Sequence, residues 1–566
     1  MDRTYRTDMK HVWTTTLLLM AATAVMAIPA RKEGRQVTLT DGSTVMVYGH
    51  GDESMHWTTT ADGRWMQQTA DGRWQEVEPL SEEQISQRRA QARRLPQQTT
   101  TASPLNIAPR GLVIMVNFKD TKFKMTREEM DSMINAVHYV RDYSYKEGVT
   151  STTIHAEGSA RQYFIDQSFG QYQPQFDVVG PYNLPKNAKY YGENGWYGSD
   201  ENALEMVEKA CEYARDSSQV DFSLYDNDHD GVVDFVYVFY AGYGEADGGG
   251  DNTIWPHSYS IEYDWYYSGT FNGKTLGKYA CSNELNYQSK VHDGIGTFVH
   301  EFSHVLGLPD LYDTNSGTQK TCGAWDVMDY GPYNNDGNTP PAYSAYERFF
   351  MGWMTPTLLT DSATVTLATV NDSAALIVTS TGQHNMVGNN PNPTTFYMLE
   401  NRQKEGWDKY IPGHGLLLTK VSYDYSDWQD NVVNNTKSAM GVDIVEADGQ
   451  APSYKSSNTS NGYFGKQGDC FPSGAIAYQT KAPFTTYTLT NIEEDNERGE
   501  ITLDYMGGGD NIYIGHVRPE PEPEPSALED IEGTTDSQAQ KILNQGHIYI
   551  RRDGKVYDLQ GQIVNL

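Results

Sequence analysis

Two histidines four residues apart, with a glutamate directly after the first, constrain this chain more than any other feature. In the run Val299-His300-Glu301-Phe302-Ser303-His304-Val305-Leu306-Gly307-Leu308-Pro309-Asp310 the spacing predicts a helix. Imidazoles at i and i+4 leave one face a single turn apart and can share one ion. Glu301 lies about 100° round that helix, within reach of a water on the ion. Val299, Phe302 and Leu306 recur at helical spacing on the other face, which predicts packing into a core. Gly307 lets the chain leave the helix with a positive φ, and Asp310 then returns an oxygen to the third coordination position. Two imidazoles and a carboxylate leave the fourth position of a tetrahedral zinc open for water. That set implies hydrolysis by metal-activated water, with Glu301 as general base. The bland alternative is a core helix with two satisfied histidines, which seldom comes with an acid and a glycine turn in this register.

The run resembles the metzincin metallopeptidases, and within them the immune inhibitor A-like family of secreted bacterial proteases. A Met-containing turn follows the third ligand in metzincins, and Trp325-Asp326-Val327-Met328-Asp329-Tyr330 matches it, with Met328 eighteen residues after Asp310. The resemblance implies Met328 beneath the metal and Tyr330 as the tyrosine that swings toward it and helps to stabilise the oxyanion. It extends through residues 111–118, 225–234, 254–258 and 399–402. What it implies is a zinc metalloendopeptidase, made as a zymogen, acting on protein or peptide substrates. Two readings compete within the enzyme class: Glu347, in the helical pattern from Ser344 to Phe350, as the third ligand of a gluzincin-type site, or Asp313 reached by an extra turn. A surface binding protein or adhesin on a protease-like scaffold is the rival from another class, and an intact Glu301 speaks against it.

At 566 residues the chain exceeds one core and suggests about three to five units. Its net charge of -32, from 75 acids against 43 bases, repels nucleic acid and anionic membrane. Basic residues up to His11, an apolar stretch from Thr16 to Ala27 and small residues around Val25-Met26-Ala27 read as a secretory signal over residues 1–27. That places the protein outside the cell or on its surface. No other stretch reaches the roughly 18 apolar residues of a membrane helix. Four cysteines cannot make a disulfide scaffold. Cys211 falls on a helical core face, and Cys281 with Cys322 is the preferred pair.

Residues 28–106 read as a small β-rich propeptide, with turns at Asp41-Gly42 and Asp62-Gly63, a polar helix ending in arginines and a Gln/Thr/Ser linker from Gln97 to Ser103. It contains no cysteine, so latency requires another ligand (His50, Asp52 or His56) or occlusion of the cleft. Residues 107–355 read as an α+β catalytic domain of metzincin type, with a helix over Glu201–Ser217 and a buried strand over Phe235–Ala241. A following edge strand near Ile254–His257 would line the cleft and pair with extended substrate. His257 is expected in a structural or cleft-wall role. Residues 356–508 read as a β-sandwich, whose aromatics suit a core or a glycan or protein ligand. A Pro/Glu-rich spacer over 509–530 and a tail over 531–566 complete the chain. The tail resembles short C-terminal sorting tails of secreted Bacteroidetes proteins.

A second cation pattern precedes the buried strand. Asp226, Asp228, Asp230 and Asp234 alternate around Gly231 at position six, as in the first half of a calcium loop. Position twelve is Tyr237 rather than a bidentate glutamate, so another group must finish the shell. A plain Asp/Asn/Gly turn is the alternative.

Overall fold

The computed structural model describes residues 28–81, 83–85 and 108–515 apart from 53–54, 70, 148–149, 196–199, 262–268, 316–318, 450–464 and 473–487, together with 540–544, 547–552 and 555–557. The expected signal, the Gln/Thr/Ser linker and all but residues 83–85 of the arginine-ended helix lie outside the described residues, as does the Pro/Glu spacer beyond 515; its first residues are instead a strand, Asn511–Ile514, which corrects the boundary expected at 509.

The Asp-Gly turns fold the N-terminal stretch into a five-stranded antiparallel meander, from Arg35–Thr38 through Thr44–Asp52, Met55–Thr60 and Trp65–Gln68 to Trp74–Val77. Gly63 has φ +88°, the conformation such a hairpin turn requires and most side chains avoid. Val37, Val47, Met66 and Trp74 make a small apolar cluster of its own.

The following region is built on a six-stranded sheet. Gln175–Asn183, Arg110–Asn117, Val232–Tyr243 and Lys274–Leu285 run parallel, and His257–Ser260 and the two-residue Thr270–Phe271 each pair antiparallel with Lys274–Leu285. Period-two alternation sends Leu112, Ile114 and Val116 into one apolar cluster and Val113 and Met115 into another. Parallel strands need cover on both faces. Helix Ala203–Ser218 closes one face with Met206, Val207, Ala210 and Cys211. Helices Arg127–Asn135, Ala160–Gln167 and Gly296–Val305 close the other. The helix and strand expected at 201–217 and 235–241 form with shifted ends, at 203–218 and 232–243.

All four cysteines are buried and free, which corrects the pairing expected for Cys281 and Cys322. Those two lie in different apolar clusters on opposite faces of the sheet. Cys281 Sγ sits 3.5 Å from His257 Nδ1 and Cys322 Sγ 3.9 Å from the Val442 carbonyl.

Beyond residue 355 the chain turns to strands. One five-stranded sheet holds Thr357–Leu358, Leu376–Val378, Thr395–Arg402, Gly415–Ser422 and Val442–Ile444. A four-stranded sheet holds Ala363–Leu367, Leu489–Asp495, Glu500–Tyr505 and Asn511–Ile514. Val365, Leu376, Leu399, Leu418, Ile501 and Leu503 from the two sheets share one apolar cluster. The other face of Thr395–Arg402 presents Phe396 and Met398 to the cluster that also contains Phe298 and Phe302 of helix Gly296–Val305. The strand-rich region and the helix of the histidines therefore share a core. Among the described residues no helix is long and apolar enough to cross a membrane. Residues 517–566 are a separate unit, in which Gln540–Asn544, His547–Arg552 and Lys555–Tyr557 form a three-stranded antiparallel sheet.

Candidate metal centre

Helix Gly296–Val305 sits where the sequence pattern puts it, and its apolar side explains why. Phe302 packs edge-on against Phe164, Phe176 and Phe235, at ring-centroid distances of 4.9, 5.3 and 4.8 Å. Aromatic burial on that scale fixes the helix rotation, and the opposite side then carries His300 and His304. Gly307 ends the helix at φ +98°, and Leu308 N donates to the Ser303 carbonyl at 3.1 Å. The turn returns Asp310 to the two imidazoles.

His300 Nε2 and His304 Nε2 lie 3.2 and 3.3 Å from Asp310 Oδ1. All three atoms are buried and lack a hydrogen bond of acceptable geometry. Each ring is oriented from behind: His300 Nδ1 is 2.7 Å from the Val327 carbonyl, and His304 Nδ1 is 2.8 Å from the Leu308 carbonyl. A carbonyl only accepts, so Nδ1 carries the proton and Nε2 presents its lone pair to the common centre. Three converging donor atoms without hydrogens between them are what a divalent ion with nitrogen and oxygen ligands requires. Zinc fits this donor set.

Sequence reasoning missed Asn431, which holds the carboxylate. Its Nδ2 donates to Asp310 Oδ2 at 2.6 Å, and its Oδ1 accepts from the Asp310 amide at 2.7 Å. Asn431 follows the short helix Tyr425–Gln429 at φ +52°, a conformation asparagine tolerates better than most residues. Its only signal in the sequence was an asparagine-rich turn 121 residues from Asp310.

Met328 is fully buried, and its carbonyl accepts from the Leu311 amide at 2.8 Å, tying the Met-turn to the ligand loop. Tyr330 is buried, with the Lys32 ammonium 5.8 Å from its ring centre. Glu347 is not brought to the histidines. Its Oε2 accepts from the Ser344 amide at 2.7 Å and caps its own helix, while burial and then nearby Asp326 push its carboxyl well above the usual range. Asp313 accepts from the amides of Asn315 and Gln319, at 3.0 and 3.1 Å. His257 is buried between the Trp255 carbonyl at 2.7 Å and Tyr279 Oη at 2.8 Å, a structural setting.

The N-terminal segment lies on this centre. Ile28 N donates to Glu301 Oε1 at 2.9 Å, Trp255 Nε1 donates to the Ile28 carbonyl at 3.0 Å, and Tyr333 Oη donates to the Pro29 carbonyl at 2.7 Å. None of the three residues weighed as blocking ligands is among the groups converging on the centre. His50 pairs with Thr59 Oγ1 at 2.8 Å, Asp52 accepts from the Met55 amide at 3.1 Å, and His56 pairs with Glu245 Oε1 at 2.9 Å.

At the second pattern, carboxylate oxygens of Asp226, Asp228 and Asp230 lie within 4.8 Å of one another, around Gly231 at φ +98°. Asp234 is turned to Asn227, accepting from its amide at 2.6 Å, and Lys274 Nζ sits 2.6 Å from Asp226 Oδ2.

A buried His-His-Asp cluster with a glutamate one residue along the same helix defines a metallopeptidase-type centre. Residues 105–354 match the family described as immune inhibitor A peptidase M6, catalytic domain. Two curated relatives are similar to part of the chain. The pre-pro-metalloprotease PrtV of Vibrio cholerae serotype O1 is 28% identical over 270 residues, 42% of this chain and 29% of that protein. Immune inhibitor A of Bacillus thuringiensis subsp. alesti is 29% identical over 275 residues, 42% of this chain and 39% of that protein. The chain thus spans well under half the length of either relative. Residues 105–354 are thus similar to the catalytic domain of immune inhibitor A-type metalloproteases.

Proposed function

We propose that the chain is a secreted zinc-dependent endopeptidase whose general base is Glu301. The convergence of His300 Nε2, His304 Nε2 and Asp310 Oδ1 beside Glu301 carries this reading. Zinc held by these three residues would supply a Lewis acid that makes water nucleophilic near neutral pH. Glu301 would take a proton from the attacking water and deliver it to the nitrogen of the leaving amine. The hydrogen bond from Ile28 N to Glu301 Oε1 supports this role, because it sets a chain nitrogen, an α-amine once residues 1–27 are removed, where the leaving nitrogen would stand. Tyr330, two residues past Met328, donates its phenol to the developing oxyanion. The edge strand His257–Ser260 offers backbone groups to an extended substrate.

Residues 1–27 act as signal and 28–106 as propeptide, a reading supported by the contacts of residues 28–30 with the centre and by the precursor wording of the Vibrio relative's name. The two sheets beyond residue 355 act as a β-sandwich domain, and Asp226, Asp228 and Asp230 bind calcium once Lys274 swings away. The tail from 531 serves as a sorting signal.

Glu301→Ala tests the mechanism. The variant should retain stoichiometric zinc by elemental analysis while turnover of a quenched peptide falls by at least a thousandfold, on the order of the loss seen when a catalytic unit is broken. Undiminished cleavage would refute it.

A further inference from the structure

Arg31 enters a pocket that the mechanism does not use. Its Nη1 lies 2.7 Å from Asp247 Oδ1 and its Nη2 2.6 Å from Asp336 Oδ1, and the guanidinium stands 5.2 Å from the centre of the Tyr333 ring. Beneath, Asn286 Nδ2 donates to one oxygen each of Asp336, Asp293 and Asp247, at 3.1, 3.3 and 3.4 Å. Asp247 and Asp293 are each 5% exposed and Arg31 7%. Burial pushes both carboxyls upward, and the Arg31 guanidinium pulls against that shift. Two buried carboxylates with the partly exposed Asp336 beside them are unfavourable without a cation; here the cation is Arg31 of the N-terminal segment, whose Nε also pairs with the segment's own Glu33 at 3.2 Å.

The register of that segment turns the pocket into a statement about substrate. Ile28 N is at Glu301, where the leaving amine of a cleaved peptide would accept its proton. Pro29 and Ala30 follow, held by Tyr333 at one carbonyl and by the Ala30 amide donating to the Gly51 carbonyl at 2.9 Å. Arg31 is three residues on, an extended reach of about 10 Å. The segment lies in the sense of the product released on the amine side of a cut.

We propose that Asp247, Asp293 and Asp336 form a specificity pocket for a basic side chain on the fourth residue after the scissile bond, and that Arg31 occupies it as a substrate mimic. The inference rests on the peptidase reading above. Removal of the N-terminal unit would leave the pocket without its cation and open to a substrate arginine or lysine. A forked arginine contact to two carboxylates, one of them buried, is a strong form of such recognition.

The test uses the full chain, zinc-loaded, cut between residues 86 and 107 with trypsin, after which the trypsin and the N-terminal unit are both removed. Two quenched peptides of one sequence are compared, with arginine or norleucine as the fourth residue after the cut. The arginine peptide should be preferred by on the order of 10- to 100-fold in kcat/KM, the loss expected when a charged hydrogen-bonding group is deleted. Asp336→Asn with Asp247→Asn should bring the ratio close to one. The wild-type ratio needs no variant, so a double variant that fails to fold leaves the test intact. Equal rates with the wild type overturn the pocket and leave the peptidase reading standing. Cleavage of neither peptide overturns both.

Discussion

Replacing Asn431 by alanine removes both hydrogen bonds that orient the carboxylate ligand, at 2.6 Å to Asp310 Oδ2 and 2.7 Å from the Asp310 amide. The first is a bond to a charged group, worth about 1.5–3 kcal/mol in a buried setting. At 1.4 kcal/mol per decade that corresponds to roughly 10- to 100-fold in affinity, in line with the usual effect of removing a group that supports a metal ligand. Backbone strain complicates the alanine variant, because Asn431 has φ +52° and alanine resists that region. Asn431→Gly relieves the strain and still lacks the amide, so both variants should lose zinc affinity to a similar degree. Asn431→Asp keeps the size but sets a second carboxylate against Asp310 and should bind zinc no better than alanine does. Competition with a chromophoric chelator gives the constants, and circular dichroism confirms that each variant is folded. Zinc affinity within twofold of wild type in folded alanine and glycine variants would show that Asp310 needs no support from the region beyond residue 355.

Arg402 is buried with Nη2 2.5 Å from Asp408 Oδ1 and Nη1 3.3 Å from Glu400 Oε1. Arg402→Met should therefore cost about 3–5 kcal/mol in urea unfolding, since two buried carboxylates lose their cation, and a loss under 1 kcal/mol contradicts this account. Burial alone would lower the His56 imidazole, but the Glu245 carboxylate outweighs it and raises the group to about 9, with Asp251 and Asp200 adding to the effect. Stability from a raised imidazole is full below its unfolded value of about 6.5 and fades as pH climbs through the folded one. Burial raises the Glu245 carboxyl, and its protonation bounds the window from the acid side. The melting temperature of wild type minus that of His56→Phe should shrink between pH 6.5 and about 9, and a flat difference rules the pair out as a clamp. Titration calorimetry with calcium should show one site that Asp228→Asn weakens; no heat, and no response of melting to chelation, ends the calcium reading.

The sequence by itself determined the local chemistry. Residues at i, i+1, i+4 and a glycine-terminated turn sit within one element, and their geometry follows from helix pitch and from the φ that Gly307 alone adopts without strain. The continuous apolar run Phe235–Ala241 likewise read as a buried strand. Only tertiary structure decided what comes from afar. Asn431 reaches Asp310 across 121 residues, Ile28 reaches Glu301 across 273, and Arg31 meets Asp247 and Asp336 across 216 and 305. Nothing periodic encodes such pairings, because they arise where separately folded surfaces meet and each partner reads, in its own stretch of chain, as an ordinary turn or tail residue. The cysteines failed for the same reason: Cys281 and Cys322 are near in sequence, yet the sheet between them sets their thiols in different cores.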